Sequence, residues 1–157
     1  MLEAGQRLAG TTLLERAFTM ATHAPLGVRL TAKTAYLRWR VPQWLEQRDL
    51  PAVLASLDAH ERNPHPLSPR DAAMADVLVR KLLRTGQLKT TCLYRSLIRF
   101  SVLRTEARMP VEFVMGVRTT DDDLTAHAWL ELDGKPLWEV LDHEYETTYR
   151  YGSGRKS

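Results

Sequence analysis

Three residue types that can perform acyl-transfer chemistry follow one another in the second half of this 157-residue chain. Cys92, the single cysteine, lies in TTCLYRSL, His127 lies in AHAWLEL and Glu139 lies in PLWEV. A thiol, an imidazole and a carboxylate can supply a nucleophile, a base that activates it and a group that orients the base. The order of the three residues therefore predicts a cysteine nucleophile with a catalytic triad.

Most of the chain before residue 110 has the apolar spacing and the start signals of helices. One helix is predicted from about residue 28 to residue 40, ending before Pro42. Two more are predicted to begin at Asp49 and at Ser68, each of which precedes a proline in the first turn. The apolar stripe predicted for the helix after Ser68 consists of Met74, Val77, Leu78 and Leu82.

A further helix, beginning at Thr91 or Cys92, would carry the thiol. Its apolar residues cover more than one face, which is typical of a central, buried helix. The N-terminus of a helix has a partial positive charge and free N–H groups, so we expect it to favour the thiolate and to stabilise an oxyanion on an attacked carbonyl. The alternative is an inert cysteine in the core.

After residue 110 the apolar residues recur with a period of two. Segments 111–118, 125–132 and 136–140 are predicted strands, and Asp133-Gly134 is a predicted turn between the last two. A helical first half, a central helix and an antiparallel meander together indicate an α+β fold. In the second strand His127 lies on the face opposite the more apolar one, so we expect it to point away from the main core.

The acid that orients the imidazole depends on the length of the turn after the second strand. A three-residue turn over 133–135 would pair Trp129 with Glu139 and place Glu139 diagonal to His127. We prefer this turn, and with it Glu139 as the third member of the triad. A two-residue turn would put Glu139 on the wrong face, because a shift of one residue exchanges the faces of a strand, and Asp142 would then be the candidate.

Composition narrows the possible classes of protein. The length suits one compact domain, 44% of the residues are hydrophobic, and no apolar run is long enough for a membrane span. The net charge of +3 does not require a nucleic-acid partner. One cysteine and the lack of a secretory signal pattern predict a cytoplasmic protein. Without a phosphate-binding loop or zinc-ligand spacing, we expect no cofactor and no metal.

Three segments resemble a known family: TTCLYRSLIRFSVL, VEFVMGVR and AHAWLELDGKPLWE are similar to the bacterial transglutaminase-like cysteine peptidases of lasso-peptide biosynthesis, called B2 proteins. The resemblance implies a papain-like, transglutaminase-type core in residues 66–157, after a helical region in residues 1–65. It implies Cys92 as nucleophile and His127 as base. The aspartate of the family falls at Glu139, so this chain departs from the family pattern at the third position.

The resemblance also implies a function and partners. It implies cysteine-dependent removal of the leader peptide from a ribosomally made precursor, with a separate leader-binding recognition protein of the B1 type and an asparagine-synthetase-like cyclase. The basic, aromatic stretch Tyr36, Arg38, Trp39 and Arg40 is a candidate docking surface; the alternative is an amphipathic packing helix. Two other functions stay open: a transglutaminase-like acyltransferase, and a non-catalytic adaptor that binds peptide or RNA.

Overall fold

Four helices precede the sheet in the part of the chain that a computed structural model describes, which comprises residues 25–85, 91–120 and 123–152. The helices are α1 (Leu26–Gln47), α2 (Leu50–Asp58), α3 (Pro69–Arg84) and α4 (Cys92–Glu106).

Side-chain caps begin three of these helices where the sequence predicts them. The side chain of Asp49 accepts a hydrogen bond from the Ala52 N–H at 2.9 Å at the start of α2. Ser68 caps α3 in the same way, and Thr91 caps α4. An N-cap side chain satisfies a backbone donor that has no partner inside the helix, so these starts are determined locally.

The predicted end of the first helix before Pro42 is wrong. Helix α1 continues through Pro42 to Gln47. Proline removes one hydrogen bond of a helix. The buried face nevertheless continues on both sides of it, from Leu37 and Val41 to Trp44, and burial of that face favours an unbroken helix.

The predicted apolar stripe of α3 is also wrong in part. Met74 and Val77 are 62% and 44% exposed, whereas Ala75 and the carboxylate of Asp76 are buried. The helix buries small residues and a charge that pairs with Arg99 of α4 and with Arg80 of the same helix. A stripe chosen by hydrophobicity misses such a face, because ion pairing can stabilise a buried charge.

The sheet has four antiparallel strands in the order β3-β2-β1-β4, and the α+β prediction is confirmed. Its strands are β1 (Glu112–Thr120), β2 (Asp123–Leu132), β3 (Lys135–Pro136) and β4 (Glu146–Tyr151). The predicted third strand, over residues 136–140, is mostly wrong. The observed strand β3 ends at Pro136, and Trp138 has a φ of 53°, which is incompatible with an extended strand. Strand β4 has no counterpart in the sequence-based prediction.

Helix α4 lies between the other helices and the sheet. Leu97 and Phe100 of α4 are buried in one core with Phe113 of β1 and Leu130 of β2. The Ser96 hydroxyl donates a hydrogen bond to the Ala128 carbonyl at 2.9 Å. The central, buried helix and the apolar face of β2 are therefore as predicted, and the opposite face of β2 carries His127.

Ion pairs join the first two helices to the end of α4. Lys33 and Arg29 of α1 both bind Glu106, at 2.9 and 2.8 Å, and Asp58 of α2 binds Arg104. The division of the chain at residue 65 into a helical region and a catalytic core stays a prediction. Over the described ranges, none of the helices has the length and apolar character needed to cross a membrane.

Candidate active site

Cys92 is the first residue of α4, and its side chain is partly buried. Its helical turn lies against β2, because Ser96, four residues further along the same helix face, is hydrogen-bonded to the carbonyl of Ala128. Ala128 directly follows His127 in the chain. The predicted position of the thiol at a helix N-terminus is therefore present, and it lies next to the strand that carries the imidazole.

The imidazole of His127 forms a three-ring cluster with Trp129 and Tyr145, whose own ring centroids are 5.9 Å apart. The ring centroid of Tyr145 is 5.3 Å from that of His127, and the centroid of Trp129 is 6.0 Å from it. Both rings are stacked on the imidazole, with interplanar angles of 28° and 15°. Among the described residues, no hydrogen bond joins the thiol of Cys92 directly to His127.

Gly116 of β1 allows the aromatic rings to approach the sheet. It pairs with His127 across the strands. A Cβ atom at this position would lie 2.8 Å from the Glu146 carbonyl oxygen and 2.9 Å from both Tyr145 and Trp129. Because real Cβ contacts are longer than this, only glycine fits without displacing the residues that surround the imidazole.

Tyr145 connects the parts of the site electrostatically. Its hydroxyl donates a hydrogen bond to Asp142 at 3.2 Å. Loss of solvent raises the pKa of Tyr145, the hydrogen bond and the charge of Asp142 raise it further, and the charge of Cys92 adds a smaller effect in the same direction. Tyr145 is thus hydrogen-bonded to the carboxylate of Asp142 while it is stacked on His127.

Asp142 is the carboxylate that binds Tyr145, the residue whose ring stacks on His127. Desolvation is the largest single effect and raises the pKa of Asp142, but the Tyr145 hydrogen bond and the smaller effects of the His143 and His127 charges together lower it further than desolvation raises it. The Nε2 atom of His143 lies 3.7 Å from a carboxylate oxygen of Asp142. Asp142 therefore has the Tyr145 hydroxyl and the His143 imidazole as neighbours, and its lowered pKa favours the ionised form.

Comparison with known families identifies the superfamily of the chain. The family model described as the transglutaminase-like superfamily matches residues 34–151, which include Cys92, His127 and Asp142. The chain belongs to the transglutaminase-like superfamily. This superfamily includes cysteine peptidases and acyltransferases. Neither the curated proteins nor the solved structures include a match to the chain.

Glu139 as the third triad member of this transglutaminase-like chain stays a prediction, but the three-residue turn on which its assignment depended is wrong. Leu132 pairs with Lys135, so the turn has two residues, Asp133 and Gly134, with φ values of 52° and 76°. Positive φ at both positions is typical of the type I′ turn that Asp-Gly prefers. The carboxylate of Glu139 accepts a hydrogen bond from Arg99 at 2.9 Å instead.

Sequence reasoning missed Tyr145. Its signal lies in the segment that follows, ETTYRY, whose β-branched and aromatic residues favour a strand and form β4. A predicted strand at this place would have indicated that the chain returns to the sheet. The stacking of Tyr145 on His127 depends on the pairing of β4 with β1, which no local pattern indicates.

An open groove of about 730 Å³ adjoins the site on the outer face of the sheet. Trp129, Asp142 and Tyr145 contribute to both the site and the groove. The remaining lining residues are Glu131, Pro136, Leu141, His143, Glu144 and Thr147. The groove therefore offers an extended ligand both carboxylates and apolar surface. Within the described ranges, no cluster of three or more His, Cys, Asp or Glu side chains could hold a metal ion.

Proposed function

We propose that the protein is a cysteine peptidase that removes the leader peptide from a ribosomally made lasso-peptide precursor. Cys92 is the nucleophile, His127 is the base and Asp142 orients His127. The observation that carries this proposal is the stacking on His127 of Tyr145, which is hydrogen-bonded to Asp142, with Cys92 at the start of the helix that packs on the same strand. Membership of a superfamily that includes cysteine peptidases supports a cysteine-dependent activity.

The reaction begins with attack of the Cys92 thiolate on the carbonyl carbon of the scissile peptide bond. The negative charge that develops on the carbonyl oxygen is stabilised by the free N–H groups at the start of α4. His127, protonated by the thiol, gives its proton to the leaving amine, and a thioester remains on Cys92. His127 then takes a proton from a water molecule, which hydrolyses the thioester and regenerates the thiol.

Asp142 replaces Glu139 as the third member of the triad in this proposal. Its charge favours the imidazolium that forms during attack, and its hydrogen bond with Tyr145 holds a ring against the imidazole. Asp142 has the residue type of the Cys-His-Asp triad of the family that the sequence resembles, but it lies three positions after the motif position of the family aspartate, which is Glu139. Glu139 has a different partner, Arg99.

The groove supports a peptide as the substrate. Its volume is within the usual range for ligand sites, and it leads from the sheet surface to Tyr145 and Asp142. An extended segment of the precursor that lies in the groove would contact Trp129, Asp142 and Tyr145. The cyclase that would accept the released core peptide remains part of the proposal through the resemblance alone.

The leader-binding partner would dock on a surface outside this groove. In the predicted docking stretch, Trp39 is 45% exposed and the Arg40 guanidinium lies 5.8 Å from the centre of its ring. Arg38, however, donates a hydrogen bond to the Leu82 carbonyl at 3.1 Å, so part of the stretch packs α1 on α3. We propose Trp39 and Arg40 as the part of this surface that is open to a partner.

The test uses the full-length protein, the precursor peptide and the recognition protein, with products identified by mass. Cys92→Ala and His127→Ala should each abolish cleavage while the protein stays folded. Asp142→Asn should lower kcat by roughly 10–100-fold, since loss of a group that orients a catalytic imidazole commonly has an effect of at least this size. Glu139→Gln is the matched control and should lower kcat by less than about threefold, because the amide can still accept from Arg99.

Each rival function has its own outcome in this experiment. A cross-linked product in place of two fragments would indicate the acyltransferase. Slow labelling of Cys92 by iodoacetamide below pH 7, without any cleavage, would indicate the non-catalytic adaptor. Cleavage by the Cys92→Ala protein would refute the peptidase mechanism. A larger loss from Glu139→Gln than from Asp142→Asn would return Glu139 to the triad.

A further inference from the structure

Two arginines bind three consecutive residues where the chain leaves β3. Arg99 of α4 donates to the Leu137 carbonyl at 3.0 Å and to the Glu139 carboxylate at 2.9 Å. Arg80 of α3 donates to the Trp138 carbonyl at 3.0 Å. This stretch lies beyond the strand, so the arginines take the place of strand pairing for its carbonyl groups.

Asp76 holds both arginines in place. One of its carboxylate oxygens accepts from Arg99 Nε at 2.7 Å and the other is 2.9 Å from Arg80 Nε. The side chain of Asp76 has no exposure to solvent, and that of Arg99 has 4%. Charge-assisted hydrogen bonds in such a buried place are strong and directional, so the guanidinium groups have little freedom.

The backbone of the bound stretch has an unfavourable conformation. Trp138 has a φ of 53°, which is rare for a residue with a large side chain. A conformation of this kind persists only where surrounding contacts determine it, and such residues are often found beside functional sites. Here the surrounding contacts are the arginine bonds on either side of Trp138.

The bound stretch leads directly to the site. Asp142 lies three residues after Glu139, and Tyr145 lies six residues after Glu139. Arg99 follows Cys92 by two turns on the same helix. One helix therefore carries the thiol at its start and, through Arg99, holds the stretch from which the chain continues to Asp142.

We propose that Arg99, Arg80 and Glu139 are positioning residues, which hold the stretch 137–139 so that Asp142 and Tyr145 meet His127. The proposal rests on the proposed function, because it assigns Asp142 to the triad. Glu139 acts on the reaction through Arg99 and the chain that follows, without contact with the substrate.

The experiment compares Glu139→Ala with Asp58→Ala. The two carboxylates are similarly exposed, at 22% and 19%, and each binds an arginine of α4, but the partner of Asp58 is Arg104, at the far end of the helix from Cys92. The readout is the rate of Cys92 labelling by iodoacetamide at pH 6 divided by the rate at pH 9. At pH 6 the thiolate depends on a correctly placed imidazolium, whereas at pH 9 the thiol ionises without it.

We expect Glu139→Ala to lower this ratio by about fivefold and kcat for precursor cleavage by about tenfold, with KM within about twofold of wild type. Asp58→Ala and the conservative Glu139→Gln should each leave the ratio within about twofold of the wild-type value. If Glu139→Ala does not fold, Arg80→Met is the second variant. Within residues 137–139 it removes only the bond to the Trp138 carbonyl, and it should lower the ratio in the same direction.

The outcomes separate the two proposals. If Cys92→Ala abolishes cleavage but Glu139→Ala leaves the ratio unchanged, the positioning role is refuted and the peptidase stands. If Glu139→Gln lowers the ratio as far as Glu139→Ala, the charge acts directly and the positioning role is again refuted. If the wild-type protein neither cleaves the precursor nor labels quickly at pH 6, both proposals fail together.

Discussion

Removal of the buried carboxylate of Asp76 is the perturbation for which the structure gives the clearest magnitude. Asp76→Ala leaves the guanidinium of Arg99 buried with a reduced set of partners. Breaking a buried ion pair from one side commonly costs about 3–5 kcal/mol. Arg99 keeps Glu139 and the Leu137 carbonyl, which favours the lower end of this range.

The second bond of Asp76 adds little to that cost. The side chain of Arg80 is 33% exposed, so water can replace much of the lost pairing, as at surface ion pairs worth at most about 1 kcal/mol. We therefore expect a loss of about 3 kcal/mol in the free energy of unfolding. For a chain of this length, that corresponds to a fall in Tm of roughly 6–12 °C.

Urea unfolding followed by tryptophan fluorescence measures this loss. The matched control is Asp71→Ala on the same helix, where the exposed carboxylate accepts from the Ser68 hydroxyl at 2.7 Å. The control should lose less than about 1 kcal/mol, the usual size of such effects at a helix start. Equal losses from the two variants, or a loss below about 1 kcal/mol from Asp76→Ala, would refute the view that a buried ionic network holds this part of the fold.

Two further predictions concern Gly116 and Asp58. Gly116→Ala should lower kcat by about tenfold, because the added Cβ would displace Tyr145. The control is Gly27→Ala, whose added Cβ meets nothing within 4 Å and should leave activity unchanged. Steady-state kinetics of both variants test this, and an unchanged kcat for Gly116→Ala would contradict it. The hydrogen bond from Arg104 lowers the pKa of Asp58, against the opposing effect of burial. The ionised carboxylate of Asp58 therefore contributes its full stabilisation above the unfolded pKa of about 4, and this stabilisation is lost as pH falls through the lower pKa of the folded state. The stability difference between wild type and Asp58→Asn should therefore be constant from pH 7 to about pH 5 and shrink below pH 4 in urea titrations; a difference that grows on acidification would contradict the sign.

Most local features of the fold could be predicted from the sequence. The caps at Asp49, Ser68 and Thr91 and the strands β1 and β2 lie where the pattern indicates, because capping and alternation depend on residues a few positions apart. The same reasoning places Cys92 at the start of a helix and His127 on the outer face of a strand.

The proposed third residue of the triad could not be predicted from neighbouring residues alone. Glu139 and Asp142 were both candidates, and one residue of turn length separated them, because a strand changes its face with every residue. The Asp-Gly preference for a two-residue turn favours the observed register, but the departure from the strand at Trp138 has no such signal.

By itself, the sequence determined the α+β class, the helix that begins at the thiol and the strand that carries the imidazole, since each follows from neighbouring residues. Only the tertiary structure decided that Tyr145 stacks on His127, and that Glu139 binds Arg99 while Asp142 senses the imidazole. These contacts join residues from 15 to 40 positions apart, and the energy of a buried charge or ring depends on which distant partners the fold brings to it.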